Sequence, residues 1–175
     1  ITTVSLTTGL AACYLMTFGT YQTILIGSFL LVICYIFDNA DGEIARAKNQ
    51  CSSFGDKFDT FVDWIVHALL FSSLGWGTAI TTGEYFWLLL GISSALGGTI
   101  NCIIGLLEVP QDDDNGKDPS EGYIPATLTQ WFVFILRELF RADFCFIVIG
   151  LSLFGLTHFL LPLAAIGAHA YWITR

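Results

Sequence analysis

Four aspartates stand at helical spacing in one stretch of the chain. They occur as Asp38-Asn39-Ala40-Asp41-Gly42-Glu43-Ile44-Ala45-Arg46, then, eight residues on, Gly55, Asp59 and Asp63. Helical positions three and four apart share a face. Asp38, Asp41, Gly42, Ala45 and Arg46 therefore line one stripe, and Gly55, Asp59 and Asp63 line another. The connection between them is short, so the two helices are expected to run antiparallel with their stripes facing. Four carboxylates then converge in one cleft. Two like charges about 4 Å apart repel by about 4 kcal/mol at an effective dielectric of about 20. Arg46 alone cannot offset four acids, whereas divalent cations can. Oxygen-only ligands select hard ions, Mg²⁺ or Mn²⁺, over zinc. Two such ions would balance the four aspartates and leave positions for phosphate oxygens, as in displacement at phosphorus. The small residues Gly42, Ala45 and Gly55 leave room for a ligand against the helix backbone. Taken singly, close helix packing would explain them equally well.

The elements that must carry these stripes are apolar. Of 175 residues, 54% are hydrophobic and only 13% charged, against about a quarter charged in soluble domains. A spanning helix needs about 20 mostly apolar residues. Such stretches run from Val4 to Phe18, from Ile24 to Phe37 with a more polar extension to Arg46, from Phe58 to Ile80, and from Tyr85 to Leu107. The block from Phe144 to Trp172 is too long for one span and breaks near Gly155-Leu156-Thr157-His158, with Pro162 early in the second piece, where a missing backbone donor costs little. The expected fold is all-α, one domain over residues 1–175, an integral membrane bundle of six transmembrane helices. The chain opens at Ile1 rather than Met, so further residues are expected upstream.

With six spans the connections fall on two sides. All seven basic residues (Arg46, Lys48, Lys57, Lys117, Arg137, Arg141, Arg175) lie on the side that also holds the aspartates. Basic residues are retained in the cytoplasm during insertion, so the acidic cleft is expected to face the cytoplasm. The net charge of −8 has two sources, the aspartates and the loop from Glu108 to Glu121, which reads as a solvated acidic turn. There is no basic patch, which excludes a nucleic-acid partner. The five cysteines are scattered and none has C-x-x-C spacing, so neither a disulfide framework nor a zinc site is indicated.

The acidic segment resembles the signature of the CDP-alcohol phosphotransferase (CDP-alcohol phosphatidyltransferase) family, D-x-x-D-G-x-x-A-R-x8-G-x-x-x-D-x-x-x-D. Every fixed position is filled, by Asp38, Asp41, Gly42, Ala45, Arg46, Gly55, Asp59 and Asp63. The resemblance implies that the hydroxyl of one alcohol attacks the phosphorus of a CDP-linked alcohol, giving a phosphodiester and CMP. It implies metal ligation by Asp38, Asp41 and Asp59, with Asp63 also within reach of a metal and serving as general base. Gly42, Ala45 and Gly55 look like nucleotide-facing positions, with Arg46 steadying the cluster or the pyrophosphate. Two divalent cations, a CDP-alcohol donor, a small alcohol acceptor and a homodimer complete what the resemblance implies; a cleft opening at the bilayer boundary favours a lipid donor, CDP-diacylglycerol. Members often carry Pro-Asn just before the first span; here Ile1-Thr2-Thr3-Val4-Ser5 opens the chain, so no nucleotide contact is carried over to the first helix.

Outside the signature, Arg137 and Arg141 either bind an acidic acceptor such as a polyol phosphate or anchor the interface beside Glu138 and Asp143. The aromatic-rich segment from Thr127 to Phe140 is expected along the membrane interface. Ser94, Gly97, Gly98 and Asn101 read mainly as helix packing, as does His67, one turn beyond Asp63; His158 and His169 have no partner visible in sequence. Two further functions compete with phosphatidyl transfer. One is transfer between soluble polar alcohols, as in inositol phosphodiester synthesis. The other is cation transport along the acids, a class that favours mid-membrane acids and repeated halves; this chain has no repeat.

Overall fold

In the computed structural model residues 2–48, 53–107 and 144–173 are described. Six α-helices account for nearly all of them, and no strand occurs among them. They are α1 (Thr2–Met16), α2 (Tyr21–Ala47), α3 (Ser53–Thr82), α4 (Phe86–Leu107), α5 (Phe144–Leu153) and α6 (Leu160–Ile173), the last preceded by a 3₁₀ turn, Thr157–Phe159. Three are long and apolar enough to cross a membrane, over Tyr21–Ile44, Lys57–Thr82 and Phe86–Leu107. The helices α1, α5 and α6 are apolar but shorter, at 15, 10 and 14 residues. Ten helical residues rise about 15 Å, against about 30 Å of hydrocarbon.

The breaks come from residues that cannot continue a helix. Gly19 follows α1 at φ 66° and Gly155 follows α5 at φ 68°, the left-handed region where a Cβ is penalised. At α5 the Leu156 N–H donates to the Leu151 carbonyl (2.9 Å) and the Gly155 N–H to that of Ser152 (3.1 Å), which closes the helix with a Schellman motif. The Tyr21 hydroxyl donates to the Leu153 carbonyl at 3.1 Å, joining the start of α2 to the end of α5. The first helix stops at Met16, two residues short of the Phe18 expected.

Helix α1 packs on α2 and α3, α3 on α4, α4 on α6, and α2 on α5. The core is built from Ala12, Met16, Leu31, Val62, Val66, Leu70, Leu74, Phe144, Val148 and Leu161. Small residues bring backbones together: a Cβ on Gly27 would stand 2.9 Å from the Ala12 carbonyl oxygen, and one on Gly91 would collide with that of Phe71. Hydroxyl residues are buried (Ser5, Ser28, Ser73, Ser94, Ser152) while Tyr14, Phe29, Ile80, Leu96 and Leu106 are exposed. Four of these hydroxyls bond to carbonyls of their own helices, as Ser28 does on Ile24 and Ser94 on Leu90, both at 2.8 Å, whereas Ser5 reaches across from α1 to the Cys34 carbonyl of α2 at 3.2 Å. An apolar exterior over an interior of small hydroxyls and aliphatics suits a hydrocarbon surrounding, where every polar group must be satisfied within the protein.

Candidate active site

The reactive groups here are carboxylates, and they gather where α2 and α3 face each other.

 The Asp38 side chain is half-buried on α2, and its Oδ1 is fully buried with no hydrogen-bond partner among the described residues. It lies within electrostatic reach of Asp63, Asp59 and Asp41. Asp63, accessible on α3, is in turn influenced by His67 and Asp59. The two helices put these acids together because each repeats them at three- or four-residue spacing on the face turned to the other.

Asp38 and Asp63 stand on the wall of a cavity of about 50 Å³ between α2, α3 and the start of α5. The rest of its wall is Leu31, Cys34, Tyr35, Val62, Val66, His67, Leu70, Phe144 and Cys145. Tyr35, Cys34 and Cys145 were not singled out in the sequence. The periodicity held the signal: Leu31, Cys34, Tyr35 and Asp38 form one helical stripe, and Val62, Asp63, Val66, His67 and Leu70 another.

Asp41 is placed differently from its neighbours. Its Oδ2 accepts the Thr2 backbone N–H at 3.1 Å and the Thr2 hydroxyl as well. The first turn of α1 is thereby capped by a carboxylate from α2, a favourable place for negative charge. Gly42 is half-buried beside it and Gly55 is exposed at the start of α3. The side chains of Ala45 and Arg46 lie outside the described part of the molecule, as do Arg137, Arg141, the segment from Thr127 to Phe140 and the acidic loop.

Among the described residues no three acids, histidines or cysteines already form a set able to hold a metal ion. The donor chemistry nevertheless fits a hard cation. The groups are carboxylates, one carries a buried oxygen without a partner, and their mutual repulsion calls for positive charge.

The remaining polar residues hold helices together. Asn101 donates to the Ala168 carbonyl at 3.0 Å, and a Cβ on Gly97 would stand 2.7 Å from that of Ala168, so this part of α4 is a packing face for α6. His169 has two partners that the sequence did not reveal. The Trp172 indole N–H donates to its Nδ1 at 3.1 Å, which leaves Nε2 to donate to the Ser93 hydroxyl at 3.1 Å. His158 packs edge-on against Trp87, ring centroids 5.6 Å apart.

A family model described as CDP-alcohol phosphatidyltransferase matches residues 1–156 of the chain. No curated protein and no solved structure matches it.

Proposed function

Because the chain belongs to the CDP-alcohol phosphatidyltransferase family, we propose that it moves a phosphatidyl group from CDP-diacylglycerol to a small alcohol, releasing CMP, in phospholipid synthesis. Members of the family are transferases of substituted phosphate groups, and so is this chain. The lipid donor and the small acceptor are the proposal. The acceptor oxygen forms a bond to the phosphorus that bears the donor alcohol. The bond from that phosphorus to CMP breaks, and CMP leaves with the electron pair. The proton of the attacking hydroxyl passes to Asp63, a carboxylate suited to general-base work.

Asp38, Asp41 and Asp59, with Asp63 at their edge, would hold two divalent cations, Mg²⁺ or Mn²⁺. When bound, such ions neutralise the carboxylates and draw charge from the phosphate oxygens. Gly42, Ala45 and Gly55 leave the nucleotide room against the helices, and Arg46 steadies the pyrophosphate. Arg137 and Arg141 are proposed to bind an acidic acceptor. The cleft is proposed to face the cytoplasm, with all six helices embedded in the membrane and the protein a homodimer.

The observation that carries this reading is the buried Asp38 Oδ1, unpartnered among the described residues, on the same cavity wall as Asp63. Burying an anionic oxygen without a partner is unfavourable, and such residues in a spanning helix serve function by default. Thermal unfolding of the purified protein with CMP and Mn²⁺ tests it. The midpoint is expected to rise with both present and not with Asp41→Asn. A rise with the cation alone and none from CMP would favour cation transport instead.

A further inference from the structure

His67 stands one turn beyond Asp63 on the same face of α3 and lines the same cavity. Its Nδ1 lies 2.8 Å from the Asp63 backbone carbonyl oxygen. A carbonyl oxygen only accepts, so Nδ1 carries the proton and, in the neutral ring, Nε2 keeps a lone pair. Nε2 has no hydrogen-bond partner among the described residues. The ring is braced by Phe144, centroids 6.2 Å apart. His169 shows what a packing histidine looks like in this molecule: both of its nitrogens are engaged by protein groups. His67 has one nitrogen fixed to its own helix and the other left as an acceptor on the wall that holds Asp63.

We propose that His67 Nε2 accepts a hydrogen bond from a second hydroxyl of the acceptor alcohol, next to the hydroxyl that attacks phosphorus. This rests on the transferase reading and adds the acceptor's class, a polyol. Residues four apart on a helix have Cβ atoms about 5–6 Å apart, so neighbouring hydroxyls of one small molecule reach Asp63 and His67 together. The cavity of about 50 Å³ takes a small polar fragment, since each water-sized group needs roughly 10–15 Å³. His67 is a positioning residue in this arrangement, holding the acceptor while Asp63 takes the proton.

The test is steady-state CMP release by the full chain with CDP-diacylglycerol, Mg²⁺ or Mn²⁺, and matched acceptors. One of each pair is a polyol (glycerol phosphate, inositol phosphate); the other lacks the neighbouring hydroxyl, as 3-hydroxypropyl phosphate does. The wild type is expected to favour the polyol by a factor of about 3–10, the range of one neutral hydrogen bond. His67→Asn keeps a donor near the Nδ1 position and loses the acceptor at Nε2. It should raise the polyol KM by that factor and leave the donor KM and the deoxy acceptor unchanged. His67→Gln, whose side-chain oxygen reaches the Nε2 position, should restore the preference. Equal use of both acceptors by the wild type overturns the proposal without any variant. So does a His67→Asn effect shared by both acceptors or confined to the donor KM. Wild-type protein that releases no CMP with any acceptor overturns the transferase reading, and this inference with it.

Discussion

Asp38 holds a buried oxygen with no partner among the described residues, beside three other carboxylates, an arrangement that works against the folded state unless a cation offsets it. Removing one negative charge should therefore relieve repulsion while damaging the site. In metal-free buffer, Asp38→Asn is expected to unfold at the same temperature as the wild type or higher. With metal and substrates, its CMP release should fall by about 10² or more, the scale of a lost electrostatic contribution at a reacting centre. A marked loss of thermal stability would mean that Asp38 serves the fold instead. Spacing alone was enough to place Asp38, Asp59 and Asp63 on facing stripes. It could not show that Asp41 reaches Thr2, because that contact joins residues 39 apart in the chain. The partners of His169 were hidden for two reasons. Ser93 lies 76 residues away, and Trp172, three residues on, is one of several groups a helix face could offer.

At the scale of elements, helix–helix approach is set by glycines whose surroundings differ sharply. Gly91 has no room for a Cβ, which would meet the Phe71 carbonyl oxygen, whereas Gly98 has nothing within 4 Å. Gly91→Ala should push α4 off α3 and cost about 1–3 kcal/mol, as overpacking does. Gly98→Ala should be neutral or stabilising by up to about 1 kcal/mol, since glycine weakens a helix interior. Thermal midpoints in one detergent check both; equal effects would contradict the packing described. The sequence predicted the long helices well because apolar runs bounded by glycine and polar residues define them. The expected spans from Ile24, Phe58 and Tyr85 correspond to α2, α3 and α4, and the break near Gly155 lies where expected. The sequence did not distinguish Gly91 from Gly98, because only the neighbouring helix decides which glycine is in contact.

Across the described residues, an apolar exterior surrounds helices whose Asp38, Asp41, Asp59 and Asp63 collect at one end. The turns after α1 and α5 meet at the other end, where Tyr21 bonds to Leu153. Lys48 and Lys57 lie at the acidic end and Glu84 at the opposite one. Cysteines introduced singly at Lys57 and Glu84 should react with a membrane-impermeant thiol reagent from opposite faces, Lys57→Cys from the cytoplasmic one. Labelling of both from one face would contradict the orientation. The most direct test of the central claim is CMP release by the purified protein given CDP-diacylglycerol, Mg²⁺ or Mn²⁺ and a panel of alcohols, with Asp63→Asn alongside. The expected result is CMP release that depends on the acceptor and on the cation and disappears in Asp63→Asn. Release that persists undiminished in folded Asp63→Asn protein would contradict the role given to that carboxylate, and no release with any CDP-alcohol would contradict the reaction itself.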